Sequence, residues 1–419
     1  MIIRHLSFLK SVLIHSITAF GGPQAHIGMM QRTFVQLRRD ITDTELLDIN
    51  ALCSILPGAS STQVLTLIGY KRGGLLLATL TLLIWTFPAC LLMALLSFLV
   101  TNIPNKSITN TLFIFIQPMA IGFLLYAAYN SIKVVKRNTI TIAIVILSSV
   151  AIFVLFKYPY IFPLVIIVSG VVTNLSSKRI PQVTLQPKKI KLRNLWIFVS
   201  ILIFSGFISE LSRNNNWETN TRRPINLFEN TYRMGSIVFG GGQVLIPMLE
   251  SQFCKRVEQR NLNLKNPNAI VINKRDFYTG AGIVRAIPGP VFSIAAYTGG
   301  LAMSNNGFWW QFFGCIIGAV AIFLPSSLLV LFFYPVWHNI KKYAIIYRAL
   351  EGIHAAVVGI MLGSSIYICY DATTLPSNNL LVTFCTIIST FILLSFTKLQ
   401  TPIIVLIYLL LGVLYPFFI

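Results

Sequence analysis

The chain has few charged residues and long stretches that contain none. Of its 419 residues, 11% are charged and 55% are hydrophobic, and the mean hydropathy is +0.74. Residues 75–100 and 306–337 carry no charge at all, and each run exceeds the roughly 20 residues with which an α-helix crosses a bilayer. This composition excludes a soluble domain and predicts a polytopic membrane protein.

The residues of several common chemistries are also missing. The apolar runs lack strand alternation, so the membrane segments are expected to be helices. Six cysteines occur without a CxxC pair or a neighbouring histidine cluster, which argues against a metal site or a disulfide scaffold. There is no HExxH, nucleophile elbow or nucleotide loop, so neither an enzyme nor a cofactor is predicted. The net charge of +21 is spread over loops instead of forming one patch, which argues against a nucleic-acid partner.

Hydrophobic runs predict thirteen membrane segments, arranged as six, one and six. They lie near residues 11–30, 45–70, 74–100, 108–132, 139–156, 160–175, 195–211, 229–250, 276–303, 307–335, 349–371, 379–396 and 400–419. Residues 176–194 contain two prolines and six basic residues but no acidic one, which is typical of a linker. We therefore predict three parts: a first repeat at 1–175, a basic linker with a connecting membrane span at 176–228, and a second repeat at 229–419.

The two halves share motifs in the same order. "FGGPQAHIGMMQRTF" from residue 20 aligns with "FGGGQVLIPMLESQF" from residue 239. The alignment pairs Gly21 with Gly240, Gly22 with Gly241, Gln24 with Gln243, Pro57 with Pro288, Gly58 with Gly289, Pro88 with Pro325 and Gly122 with Gly359. The pattern indicates an internal duplication of about two hundred residues.

A single connecting span between two even-numbered halves would turn the second copy upside down. The predicted fold is therefore all-α, with two inverted-topology repeats of about six membrane segments each, joined by an extra span and containing broken helices. With a cytoplasmic N-terminus, 23 basic residues fall on the cytoplasmic side and nine on the other, as the positive-inside rule favours. A re-entrant first segment is the open alternative, and it would move Arg32, Arg38 and Arg39 to the N-terminal side.

Glycine and proline interrupt the predicted helices at matching places in the two halves. The interruptions read FGGPQ and LPGAS in the first half, and FGGGQ and IPGPV in the second. Proline breaks the helix that precedes it, so a new half-helix is expected to begin after each PG pair. Its first amides are unpaired and carry the positive end of the helix dipole, which suits an anion. In inverted-repeat transporters, such broken helices mark the substrate site.

The candidate substrate-binding residues lie at these interruptions. They are Gly21, Gly22, Gln24, Pro57, Gly58, Ala59, Ser60, Ser61, Thr62, Gly240, Gly241, Gly242, Gln243, Arg285, Pro288, Gly289, Pro290, Val291 and Ser293. Glycine pairs in membrane helices also serve close helix packing, and that alternative stays open for the glycines. The repeated amides of Gln24 and Gln243 favour a place on the site wall. His15, His26 and His354 are expected to be structural, since neither their pairing nor their spacing predicts a metal site or proton relay.

Arg285 is the most informative single residue. It lies nine positions after Asp276, which at about 1.5 Å per residue is near the middle of a 30 Å core. Arginine at that depth costs about 2.5–3.5 kcal/mol on insertion scales and usually marks a pathway. Its guanidinium fork suits an oxyanion. The alternative is an internal salt bridge with Asp48 or Glu351.

Together these motifs resemble the paired signatures of the chromate ion transporter family, in its long, two-domain form. The resemblance rests on "FGGPQAHIGMM" with "LPGASSTQVLTLIGYKRGG" and on "FGGGQVLIPML" with "GAGIVRAIPGPVFSIAAYTGG", and it covers essentially the whole chain. The chain departs from the family's pattern at two positions. The family's first motif commonly reads PGP, whereas here Ala59 follows Pro57 and Gly58. In many relatives the position of Arg285 looks like a glutamine.

The resemblance implies a secondary transporter that exports chromate, or sulfate or a related tetrahedral oxyanion, by alternating access. The implied partners are the small inorganic oxyanion and the lipid bilayer, in the plasma membrane or in an organellar membrane, with the oligomeric state open. An anion channel, or a transporter of a different small oxyanion, is the alternative.

Overall fold

The computed structural model describes residues 5–20, 22–102, 113–132, 138–156, 158, 160–175, 193–214, 219–239, 241–255, 270–340, 344–373, 380–397 and 399–414. These residues form helices and no strand, which confirms the all-α prediction. Four of the described helices are long and apolar enough to cross a membrane: Ser60–Asn102, Leu195–Ser212, Phe308–Trp337 and Arg348–Asp371. Large apolar side chains such as Leu147 and Phe204 are exposed on the outer surface, as expected for a multi-pass protein whose surface contacts lipid.

The helices follow the same order in both halves. The first half contains α1 (Leu6–Thr18), α2 (Gly22–Met30), α3 (Asp43–Ile55), α4 (Ser60–Asn102), α5 (Ile116–Ile132), α6 (Thr139–Leu155) and α7 (Ile161–Asn174). Helix α8 (Arg193–Asn214) connects it to the second half, which contains α9 (Thr219–Ile237), α10 (Gly242–Glu250), α11 (Lys274–Ile283), α12 (Ile294–Met303), α13 (Phe308–Ile340), α14 (Ala344–Thr373), α15 (Leu380–Phe396) and α16 (Thr401–Leu414). A π-helical stretch follows both α2 and α10, and the 3-10 turn Val291–Ser293 leads into α12.

Glycines with positive φ mark the same backbone breaks in each half. Among the described residues they form three pairs: Gly22 (83°) with Gly241 (77°), Gly58 (116°) with Gly289 (104°), and Gly74 (70°) with Gly307 (103°). Residues with a Cβ avoid this region of φ/ψ space, so each pair fixes a chain reversal or helix start. These shared breaks support our proposal that 1–175 and 229–419 are copies joined by 176–228.

The first two predicted spans are hairpins that return to the end from which they start. Arg38, which follows the π-helical stretch, donates from Nη1 to the carbonyl oxygen of Ser7 at 3.1 Å. Lys71 in α4 forms an ion pair with Glu45 in α3. Since α1 has 13 residues and extends about 20 Å, it is too short to cross a 30 Å core. The prediction of single spans at 11–30 and 45–70 is therefore wrong, because the chain reverses at the FGGP and LPGA motifs.

The second half is folded in the same way. Gln252, beyond α10, donates to Asn230 of α9 at 2.6 Å, so these two helices form a hairpin. The hydroxyl of Tyr297 in α12 donates to the carbonyl oxygen of Asp276 at the start of α11, which closes a second hairpin. The predicted spans at 229–250 and 276–303 are therefore hairpins as well.

The hairpins of the two halves open at opposite ends of the molecule. Helix α13 runs from one end of the molecule to the other and so tells the two ends apart. The ring of Tyr334, near the end of α13, lies 6.0 Å from that of Tyr70. Near its start, Gln311 donates to Thr101 at 3.0 Å. Tyr70 lies at the open end of the hairpin formed by α3 and the start of α4. Residues 304–306 lie at the open end of the hairpin formed by α11 and α12, and they directly precede α13. The two sets of hairpins therefore enter the molecule from opposite sides and meet tip to tip.

This arrangement also changes the side of the membrane assigned to two basic residues. Arg38 lies at the N-terminal end of the molecule, beside Ser7, and not at the opposite end. Lys274 pairs with Asp371 at 3.4 Å, at the end of α14, which runs back from the Tyr334 end. The position of Arg38 agrees with the alternative of a re-entrant first segment. The expected position of Lys274 is wrong, since it followed from counting the hairpins as spans.

An ion-pair cluster at the N-terminal end fastens the first hairpins together, and it yields a stability prediction. Asp40, whose side chain is 2% exposed, pairs with Arg38 at 2.8 Å and with Arg72. We expect Asp40→Asn to lower the free energy of unfolding by about 1–3 kcal/mol, because two partly buried guanidinium groups lose their counter-charge. Thermal unfolding in detergent measures this loss. Asp43→Asn, at an exposed site that accepts one bond from Gln31, is the control, and equal shifts in both variants would contradict the prediction.

Candidate functional site

The hairpin tips of each half bind the tips of the other half through two equivalent hydrogen bonds. The amide of Gly58 donates to the carbonyl oxygen of Val238 at 2.6 Å, and the amide of Gly289 donates to that of Ala19 at 2.9 Å. Each PG turn thus contacts the residue that precedes the FGG motif of the other half. The four interruptions predicted from sequence converge at one place, inside the protein and related by approximate two-fold symmetry.

A small cavity lies where these tips meet. Three helix starts line it, one from the first half and two from the second, together with one side chain of α2. The lining residues are His26, Ala59, Ser60, Ser61, Gly241, Gly242, Pro290, Val291 and Phe292. None of these described lining residues is acidic.

The backbone amides at these helix starts are free to bind a ligand. In α4 the first amide bonded within the helix is that of Gln63, to Ala59 at 2.9 Å, which leaves the amides of Ser60 and Ser61 without an acceptor among the described residues. The 3-10 turn likewise begins with Ser293 bonded to Pro290 at 3.0 Å, which leaves those of Val291 and Phe292. Free amides and converging positive helix dipoles are features that suit an anion.

The structure brings most of the predicted site residues to this region. Ala59, Ser60, Ser61, Gly241, Gly242, Pro290 and Val291 lie on the cavity wall, and Pro57, Gly58, Thr62, Pro288, Gly289 and Ser293 lie in the same tips behind it. Gly22 and Gln243 are at the starts of α2 and α10. Gly21, Gly240 and the side chain of Gln24 fall outside what the structure describes. Binding by any of these residues stays a prediction.

The packing alternative for the glycines has direct support at two positions. A Cβ on Gly242 would lie 2.5 Å from Cγ1 of Val291, and one on Gly58 would lie 2.5 Å from Cβ of Ser326. Both distances are too short for a side chain. The two glycines therefore let the tips approach closely enough for the free amides around them to face one cavity.

Arg285 is not among the residues on the cavity wall. It follows α11, and its guanidinium carbon lies 5.6 Å from the ring centre of Phe123 in α5. Its Nε and Nη2 atoms are buried without a hydrogen-bond partner. The expected alternative of a salt bridge with Asp48 or Glu351 has no counterpart among the contacts of the described residues. Arg285 is thus a half-buried cation with two buried nitrogens that have no hydrogen-bond partner among the described residues.

Sequence reasoning missed His26 as a site residue. Its Nδ1 lies 3.2 Å from Oγ of Ser61, on the cavity wall. His15 and His26 both contact Trp85, with ring centres 5.1 Å and 5.3 Å from the indole, and the indole N–H donates to Thr62 at 2.9 Å. Linear spacing concealed this pairing, because the FGG turn folds one histidine back onto the other. The one available signal was that His26 lies within the interrupted motif.

Comparison with known proteins shows similarity along most of the chain. The family model described as chromate transporter matches residues 6–174 and 225–413. An uncharacterized transporter of Methanocaldococcus jannaschii is 26% identical over 86% of this chain and 82% of its own length. The chromate transport protein of Cupriavidus metallidurans is 24% identical, over 92% and 87% respectively.

A probable chromate transport protein of Synechococcus elongatus is 23% identical over 82% of this chain and 79% of its own. No solved structure matches the chain. The family match covers both halves, each with its pair of hairpins and its tips on the cavity. The chain belongs to the chromate transporter family.

Proposed function

We propose that this protein is a secondary active transporter that exports chromate, with the dianion bound in the cavity between the hairpin tips. The observation that carries the proposal is the cavity wall itself, where three helix starts converge and none of the described lining residues is acidic. A tetrahedral dianion can accept hydrogen bonds from the amides of Ser60 and Ser61 on one side and Val291 and Phe292 on the other. The names of two curated relatives, which refer to chromate transport, support the same substrate.

The inverted hairpins suggest how the site is exposed to each side in turn. The first half's hairpins open at the N-terminal end and the second half's at the other, so loosening either set would open the cavity toward one side. The two cross-half bonds, from Gly58 to Val238 and from Gly289 to Ala19, are equivalent, and either can yield while the other holds. Rocking of one repeat against the other then gives alternating access.

The chemistry of the site does not favour chromate over sulfate. Both are tetrahedral dianions of similar size, and backbone amides with the hydroxyls of Ser60 and Ser61 can bind either. Sulfate and related oxyanions are therefore included in the proposal as alternative substrates. An inside-negative membrane potential favours export by about 2.3 kcal/mol per net charge moved per 100 mV, so the potential contributes to efflux as long as the cycle moves net negative charge outward.

Flux into liposomes tests the proposal. We expect purified protein in liposomes to take up labelled chromate with saturable kinetics and to stop when an imposed potential is collapsed. Labelled sulfate in the same vesicles measures substrate choice. Uptake no faster than in protein-free liposomes would contradict transport, and large non-saturating currents would indicate an anion channel instead.

We infer that Arg285 attracts the anion through its charge, and its replacement separates charge from folding. We expect Arg285→Gln to weaken chromate binding about tenfold, because a half-buried positive charge is lost from the segment that leads into the second half's PG turn. Stability should be unchanged or higher, since the variant removes two buried nitrogens that lack partners. Arg285→Lys keeps the charge and is the control. Unchanged uptake kinetics in Arg285→Gln would exclude Arg285 from the binding of the anion.

A further inference from the structure

Among the described residues that line the cavity, one has a titratable side chain, and it comes from the first half. His26 is 1% exposed and lies on the cavity wall, at the position where the aligned second-half residue is Leu245. Its Nδ1 is 3.2 Å from the hydroxyl of Ser61, whose own amide is free to bind the anion. The imidazole thus contacts a helix start that we propose to bind the substrate.

The surroundings of His26 contain no charge that would hold a proton on it while the cavity is empty. The titratable group that faces it among the described residues is His15 of α1, across Trp85. Helix α4 presents Ser61 and the indole, the chain before α2 presents the backbone of Ala19, and α10 and the 3-10 turn present glycine, proline and apolar residues. No described carboxylate faces the ring. A lone cation in such an enclosed place is costly.

A bound dianion reverses that balance. Two negative charges against the cavity wall would stabilise an imidazolium on His26, because opposite charges within a few ångströms attract strongly in a site that excludes water. Histidine is the side chain that takes up and releases protons in the physiological pH range. Protonation would also turn both ring nitrogens into hydrogen-bond donors, one toward Ser61 and one available to an acceptor.

We propose that His26 is a proton-carrying substrate ligand: it binds one proton when the dianion enters the cavity, and proton and oxyanion cross the membrane together. The step conserves charge, since a neutral imidazole, a proton and a dianion become an imidazolium paired with the dianion, with a net charge of minus one. This inference rests on the proposed function. Its consequence is that the membrane potential acts on one net charge per cycle instead of two.

The test is the pH dependence of chromate affinity in the purified, full-length protein. Between about pH 7.5 and about pH 8.5, where chromate stays a dianion, uptake of one proton on binding weakens the affinity about tenfold as pH rises. We expect this slope in the wild type and in the control His354→Gln, whose site lies on α14 away from the cavity. His26→Gln, which keeps an amide near Ser61 but cannot be protonated, should bind chromate with no slope.

A second measurement avoids the variants. Calorimetry of chromate binding to the wild type, in two buffers of different ionisation enthalpy, gives the number of protons taken up, and we expect about one. A flat affinity profile, no proton uptake in the wild type, or a full slope retained in His26→Gln would each overturn the inference. If the wild type binds chromate without proton uptake, the transport proposal stands and only the role of His26 fails. If it binds no chromate under any condition, the proposed function fails first.

Discussion

Replacement of Ser60 by aspartate is expected to abolish chromate binding and yet leave the fold intact. Ser60 lies on the cavity wall and is the first residue of α4. A carboxylate there would face the dianion directly, and repulsion over about 5 Å at an effective dielectric constant of about 20 amounts to several kcal/mol. We expect the affinity to fall at least about a hundredfold. The same charge at a helix N-terminus stabilises the helix by about 0.3–1 kcal/mol.

Because the expected effects on chromate binding and on stability have opposite signs, this variant tests directly whether the cavity binds an anion. Chromate uptake into liposomes and thermal unfolding in detergent measure them separately. Ser60→Asn is the matched control, because it has nearly the same shape without the charge and should bind within about threefold of the wild type. Equal binding by Ser60→Asp and the wild type would mean that the helix starts do not bind the anion.

The second large effect is expected from Gly58→Ala, which should disrupt both folding and transport. Gly58 has a φ of 116° and donates the cross-half bond to Val238. Alanine would be strained at that φ, and its Cβ would lie 2.5 Å from Cβ of Ser326 on α13. Strain of this kind costs about 1–3 kcal/mol before the clash is counted, so we expect a loss of about 3 kcal/mol or more.

Two further variants identify the cause of that loss. Gly28→Ala is the control, because Gly28 lies within α2 and a Cβ there would meet nothing within 4 Å, so stability should be equal or up to about 1 kcal/mol higher. Adding Ser326→Gly to Gly58→Ala removes the clash but not the strained φ, and should recover part of the stability. Similar unfolding temperatures for Gly58→Ala and Gly28→Ala would contradict our account of the tips.

Composition and motif order were enough to predict the class and the positions of the helix breaks. Long uncharged runs predicted membrane helices, and the paired FGG and PG motifs pointed to the residues that the structure brings to one cavity. These predictions succeeded because glycine and proline act through the local backbone. A proline ends a helix and a glycine permits a positive φ wherever the fold places them, so the sequence alone locates the breaks.

The paths of the chain on either side of those breaks could not be predicted in the same way. A hydrophobic run of 26 residues, such as 45–70, has the same composition whether it crosses the membrane once or reverses at its middle. The ion pair of Lys71 with Glu45 distinguishes the two, and that contact exists only in three dimensions. The pairing of each PG tip with the FGG tip of the other half, and of His15 with His26 across Trp85, depends on the same reversals.

The most direct test of the central claim is the position of the bound anion. We would crystallise the protein with chromate and collect X-ray data at the chromium absorption edge, where the metal gives an anomalous peak. We predict one strong peak in the cavity, within hydrogen-bond distance of the amides of Ser60 or Ser61 and of Val291 or Phe292, and in contact with His26. A peak elsewhere, such as beside Arg285 and Phe123, or an empty cavity in protein that binds chromate in solution, would contradict it.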